Sequence, residues 1–142
     1  MLDFEVIGLS EMRGSSVCYL TDENNEYLTD ENGDKVGFEF YNPDSRQGLQ
    51  AQISQERAKA ALIDKTSGID DADKKLLETV MHQRATLKEA LIMMFKSSVG
   101  IELAGKKITK GNFGQVIDRL KPHNRDELSK FIYNSENWAV KP

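Results

Sequence analysis

Hydrophobic positions along the chain change period near residue 42. Upstream, Val36, Phe38 and Phe40 alternate with Gly37, Glu39 and Tyr41, the two-residue repeat of a strand with one buried face. Asn32-Gly33 just ahead suits a tight type I′ reversal, because both residues tolerate positive φ. The pattern predicts a three-stranded meander over about Ser16–Thr21, Glu26–Thr29 and Lys35–Tyr41. At Asn42-Pro43-Asp44-Ser45 the strand must stop, since Pro43 has no N–H for a ladder, and Asp44 or Ser45 can cap a helix. Leu49, Ile53 and Arg57 with Ala60 or Ala61 trace one narrow face of that helix, which runs to about Asp64 with Gly48 as its weak point.

A second, longer helix is predicted over about Asp71–Ser98, with Asp70 as cap, Asp71 and Asp73 near its positive end, and Gly100 as its stop. Leu76, Val80, Leu87, Leu91, Met94 and Phe95 form one stripe, widened by Leu77, Met81 and Ile92. Burying six such side chains is worth on the order of 9–18 kcal/mol before chain entropy is subtracted. Met81, Met93 and Met94 on this stripe read as core filling rather than an adaptable groove. Ile101 to Ile108 reads as a short hairpin-like excursion. Phe113, Val116, Ile117 and Leu120 mark a short third helix ended by Pro122, and Asn124 with Glu127 forms a capping pair for a last helix carrying Leu128, Phe131 and Ile132 inward. The expected architecture is a single α+β domain over residues 1–142. A small N-terminal antiparallel β-meander (1–41) packs on a mainly α-helical body of about four helices (42–142).

The stretch Tyr19-Leu20-Thr21-Asp22-Glu23-Asn24 returns as Tyr27-Leu28-Thr29-Asp30-Glu31-Asn32. A duplicated calcium loop is excluded by ligand count. Starting at Asp30 the sixth and twelfth positions are Lys35 and Tyr41, and starting at Asp22 they are Tyr27 and Gly33, where a Gly and a bidentate Glu are needed. The repeat therefore reads as a strand-and-turn unit used twice.

Composition narrows the function classes. One cysteine, Cys18, gives no intrachain disulfide, and no apolar run approaches the ~18 residues of a membrane span. Met1-Leu2-Asp3 lacks the basic start of a secretory signal, so a cytosolic protein is expected. The net charge of −4 argues against a general nucleic-acid binder. The charge is uneven: residues 19–44 carry −7, and residues 101–125 carry +4. These are either two solvated surfaces or complementary ends of a self-associating subunit, with Asp30 and Glu31 facing Lys106, Lys107 and Lys110 of a neighbour.

No catalytic constellation assembles. His82 and His123 stand far apart without further ligands at metal spacing, Cys18 lies in a predicted strand, and no phosphate-loop, dinucleotide or nucleophile-elbow motif occurs. Neither an enzyme nor a cofactor is expected. Trp138 must dock either on its own domain, on Phe131, or on a partner.

The order of parts carries a resemblance. Phe40-Tyr41-Asn42-Pro43-Asp44-Ser45 closes a strand, a polar helix and a long helix to Val99-Gly100 follow, and an excursion contains Gly105-Lys106. Asn112-Phe113 opens a short helix, and the chain closes on Ser135-Glu136-Asn137-Trp138. From about Asp30 to Trp138 this resembles the tail assembly chaperones of long-tailed double-stranded DNA phages. It departs in having Ile101 after Gly100, where many such proteins carry an aromatic residue, and its doubled N-terminal segment has no counterpart there. The resemblance implies a non-catalytic protein of the host cytoplasm. Such a protein coats the tape-measure protein, helps recruit tail-tube subunits and self-associates in a ring or spiral, with no membrane or nucleic-acid partner. The alternative is a structural virion component, a minor tail or head-completion protein.

Overall fold

The computed structural model describes residues 12–139. Strand β1 (Ser15–Tyr19) pairs antiparallel with β2 (Gly37–Tyr41), setting Cys18 opposite Phe38. On the other side of β2 lies β3 (Phe95–Val99), also antiparallel, with a bulge between Glu39 and Phe40. Helix α1 (Arg46–Thr66) and helix α2 (Ala72–Met94) precede β3 in the chain. The short hairpin β4 (Glu102–Leu103) and β5 (Lys106–Lys107) then leads to α3 (Phe113–Arg119) and α4 (Pro122–Tyr133). The class is α+β, a small antiparallel sheet with four α-helices among the described residues.

The third strand differs from the expected one. Glu26–Thr29 makes only isolated bridges, Thr21 with Tyr27 and Thr29 with Lys35. The expected long helix ends at Met94, and the next five residues leave it to complete the sheet. Ser97, Ser98 and Val99 are weak helix formers, whereas β2 offers a row of unpaired backbone groups and a buried Phe38–Phe40 face. Pairing Phe95 with Phe40 satisfies both.

The doubled segment is one turn built twice. Asp22 accepts through Oδ1 from the N–H groups of Asn24 and Glu26 (2.8 and 3.1 Å), and Asp30 does the same from Asn32 and Asp34 (2.9 and 3.0 Å). The left-handed position falls on Asn25 in the first copy and Gly33 in the second, φ 63° and 81°. Leu20, Leu28 and Val36, eight residues apart, then close a ring of three backbone hydrogen bonds, Leu20 N–H to Val36, Val36 N–H to Leu28 and Leu28 N–H to Leu20. The repeat length is the spacing this ring requires.

The core gathers the inner face of the sheet, the C-terminal half of α2, and α3 and α4. Phe113 stacks on Phe95 at 4.1 Å between centroids and meets Phe38 and Phe40 edge-on. Leu91 is buried against this group, so Leu91→Ala should lower the unfolding free energy by about 2–5 kcal/mol in a urea titration. Cys18 is buried on the same side of the sheet, and burial pushes its thiol up to about 12, which leaves it an unreactive core group.

One helix start matches expectation and two differ. Ser45 does cap α1, its Oγ accepting from the Gly48 N–H. Leu49 and Ile53, however, point away from the body, and Gly48 and Ala51 face in. The first helix needs small residues there because its backbone lies close to the turn at Asn42-Pro43. Helix α2 is capped by Asp71 in place of Asp70, its carboxylate accepting from the Lys74 N–H (3.1 Å). Helix α4 begins at Pro122, not at Asn124. Asn124 and Glu127 are spent on the first turn of the repeat instead. Asn124 Nδ2 donates to the Thr21 carbonyl (2.8 Å), and Glu127 Oε1 accepts from the Thr21 N–H (3.1 Å).

On the outer face of the sheet the Glu39 carboxylate accepts from Ser15 Oγ (2.6 Å) and Ser97 Oγ (2.8 Å), with Lys96 Nζ at 3.6 Å. The Ser15 hydrogen bond is the largest cause holding its pKa below the ordinary value, while burial pulls the other way. A depressed folded pKa gives stability that is present at neutral pH and lost as pH falls through it. Glu39→Gln should therefore lose less stability than the parent between neutral pH and pH 3, read from thermal melts across that range.

Candidate interaction surface

The stripe predicted on the long helix is real, but the body covers only half of it. Leu91 and Met94 are buried and Leu87 is half-buried against the core. The N-terminal turns of the same stripe are left largely open: Leu76, Leu77 and Met81 are 57–62 % exposed, and Val80 is exposed beside them. The reason lies in the topology. Helices α1 and α2 form an antiparallel hairpin, with Lys65 Nζ 3.0 Å from Glu78 and His82 Nε2 2.6 Å from the Ala58 carbonyl oxygen. Sheet, α3 and α4 reach only the end of that hairpin near Ala51 and Ala90, and between these and its turn Thr66 alone is buried in the two helices. The expectation that six stripe side chains are buried is corrected accordingly.

The outer side of α1 is also apolar and open. Leu49, Ile53 and Ile63 are 49–69 % exposed. Scattered apolar residues on a surface are ordinary, whereas these fall in two stripes on one helical hairpin. One turn beyond Val80, the α2 stripe runs into a groove of about 390 Å³ between α2, α3 and the start of α4, lined by Arg84, Leu87, Leu91, Ile117, Pro122 and Arg125 among others. The Lys88–Asp118 ion pair (2.8 Å) borders it.

The residues singled out from sequence are dispersed. Trp138 is buried, edge-on to Phe131 at 5.5 Å, so it completes this chain's core and is not available on its surface. Asp30 is committed to its turn, with Glu31 exposed at the tip. Lys110 donates to the Met93 carbonyl (2.8 Å) at the end of α2, a cation satisfying a terminal helix acceptor. Lys106 and Lys107 stand exposed on β5, beyond a two-residue reversal at Ala104-Gly105 with φ 50° and 78°. Among the described residues no ion pair joins Asp30 or Glu31 to these lysines.

One cluster has the composition of a nucleophilic triad without its geometry. Thr21 Oγ1 lies 3.0 Å from His123 Nε2, and Glu127 Oε1 lies 3.3 Å from that same nitrogen. A relay needs the hydroxyl and the carboxylate on opposite ring nitrogens. The cluster clasps the first turn of the repeat onto α4. No group of three metal-ligating side chains occurs among the described residues, and no helix among them is long and apolar enough to cross a membrane. No family model, curated protein or solved structure matches the chain.

Sequence reasoning placed Leu76, Leu77, Val80 and Met81 on the right face and assigned it to the core. The signal available lay just before that segment, where Asp70, Asp71, Asp73, Lys74 and Lys75 make an unusually charged flank for a buried helix end.

Proposed function

We propose that this chain is a non-catalytic tail assembly chaperone of a long-tailed phage, acting in the host cytoplasm. It holds the apolar helical surface of a tape-measure protein, self-associates while doing so, and gives way to tail-tube subunits. The observation that carries the reading is the α2 stripe that continues past the body with Leu76, Leu77, Val80 and Met81 uncovered. An amphipathic client helix laid along such a stripe buries its own apolar face by the same contacts that complete the stripe. The order of short motifs along the chain supports the same reading.

The test is co-expression with the tape-measure protein, followed by mass spectrometry of purified virions. The chain should keep the tape measure in the supernatant, and Val80→Asp with Met81→Asp should abolish this without shifting the melting temperature. The chain should be absent from finished particles. Its presence there at stoichiometric level would overturn the reading in favour of a structural tail or head component.

A further inference from the structure

We propose that the groove between α2, α3 and the start of α4 is a docking site for an acidic segment of a partner protein, one that carries a bulky apolar side chain between carboxylates. The inference goes beyond the client reading above and does not rest on it. The groove lies past the stripe offered to the client helix, and it is charged where that stripe is apolar.

The walls set the first requirement. Leu87, Leu91, Ile117 and Pro122 give the groove an apolar lining. Its volume of about 390 Å³ is near the low end of the roughly 300–1,000 Å³ usual for ligand pockets, so it seats one or two side chains and not a whole helix. An apolar side chain entering it removes area from water on both partners.

The charged side chains decide what must surround that anchor. Five line the groove: Arg84 and Lys88 from α2, Asp118 from α3, and Arg125 and Asp126 from α4. Lys88 and Asp118 hold each other at 2.8 Å and cancel. Among the described residues neither Arg84 nor Arg125 enters an ion pair, and neither does Asp126. Two bases thus stand against one acid. Arg119 and Lys121, the chain neighbours of Asp118 and Pro122, add two more, with no acid from 119 to 125. Half of the positive stretch 101–125 therefore borders this one groove. A basic segment would be repelled by the surplus, and an uncharged one would leave it unused. A carboxylate suits it, because a guanidinium is weakly hydrated and offers two parallel N–H donors to one carboxyl group. Arg84 and Arg125 come from different helices, which calls for carboxylates on both sides of the anchor.

Proton–nitrogen NMR of the full chain tests this, with the amidated peptide Ser-Asp-Glu-Phe-Glu-Asp-Ser as the probe. Titration into the millimolar range should move the amide signals of Ala85, Leu87, Lys88 and Ile117 and leave those of the sheet in place. Arg84→Gln and Arg125→Gln should each weaken binding by about tenfold, since each removes one charge-assisted contact. Ala85→Phe should abolish it by filling the groove from the rim. None of these three positions is buried, so melting curves should not move and a folding defect is separable. Lys130→Gln, at an exposed base farther along α4, should bind as the parent does, which separates the groove from general attraction to a basic surface. Peptides with serine in place of phenylalanine, or lysine in place of every acid, should not bind. No signal changes, changes centred away from the groove, equal binding of the serine peptide, or parent-like binding by both arginine variants would overturn the proposal. If instead the chain gains mass with concentration, Arg84→Gln prevents the gain and the peptide competes with it, the occupant is a second copy and the assignment to a partner protein is overturned.

Discussion

Phe113→Ala should lower the unfolding free energy by about 3–5 kcal/mol, the largest loss expected from any single truncation in this chain. Phe113 is fully buried where three others converge, stacked on Phe95 at 4.1 Å and edge-on to Phe38 at 5.1 Å and Phe40 at 5.9 Å. Those three rings come from the second and third strands and Phe113 from the first turn of α3, so the site is held from several directions and cannot collapse around a missing ring. Phe113→Leu keeps much of the volume and should cost far less, which separates cavity formation from loss of an α3 residue. Urea unfolding followed by near-ultraviolet and far-ultraviolet circular dichroism reads both variants. A loss below about 1 kcal/mol for Phe113→Ala would mean that α3 does not pack on the sheet as described.

Gly48→Ala should destabilise by about 3 kcal/mol or more, against the direction that helix propensity gives. Gly48 lies in the first turn of α1, where replacing glycine with alanine ordinarily gains about 1 kcal/mol. Here a Cβ would lie well inside van der Waals contact with the carbonyl group of Pro43 and the carbonyl oxygen of Asn42. Both are backbone, and the local chain is fixed. Asn42 donates to the Arg13 carbonyl through Nδ2 (2.7 Å) and receives the Asp44 N–H at Oδ1 (2.8 Å). Since no side chain can swing aside, α1 itself must move, and with it the hairpin on α2. The sign decides between the two effects: a melting temperature raised by Gly48→Ala would show that the close approach at Pro43 is absent.

Much of the fold was legible in local signals. Val36, Phe38 and Phe40 alternate with polar or small neighbours, which fixes the face of the strand that turns inward, as observed. Ser45 caps α1, because a short side chain with an acceptor oxygen satisfies a first-turn N–H group through purely local geometry. The doubled Tyr-Leu-Thr-Asp-Glu-Asn announced a doubled turn for the same reason, since an Asx turn is complete within five residues. The hairpin after Gly100 was equally local.

What the sequence by itself determined, then, was periodicity, the cap of α1 and the local turns. Tertiary structure decided three matters that no local window contains. Phe95–Val99 leaves its helix because β2 has a free edge, a competition between a weak helical end and a distant strand. Asn124 and Glu127 serve the Thr21 turn in place of their own helix, because a partner about a hundred residues away offers a better-satisfied set of hydrogen bonds. The third matter is how far the body extends along α2. Leu76 and Leu91 are equivalent as members of one apolar stripe, yet one is exposed and the other buried. A stripe records that a helix face prefers apolar company, because the hydrophobic effect depends on area removed from water and not on what removes it. Whether that company is the chain's own core or another molecule is settled only by where the remaining elements end.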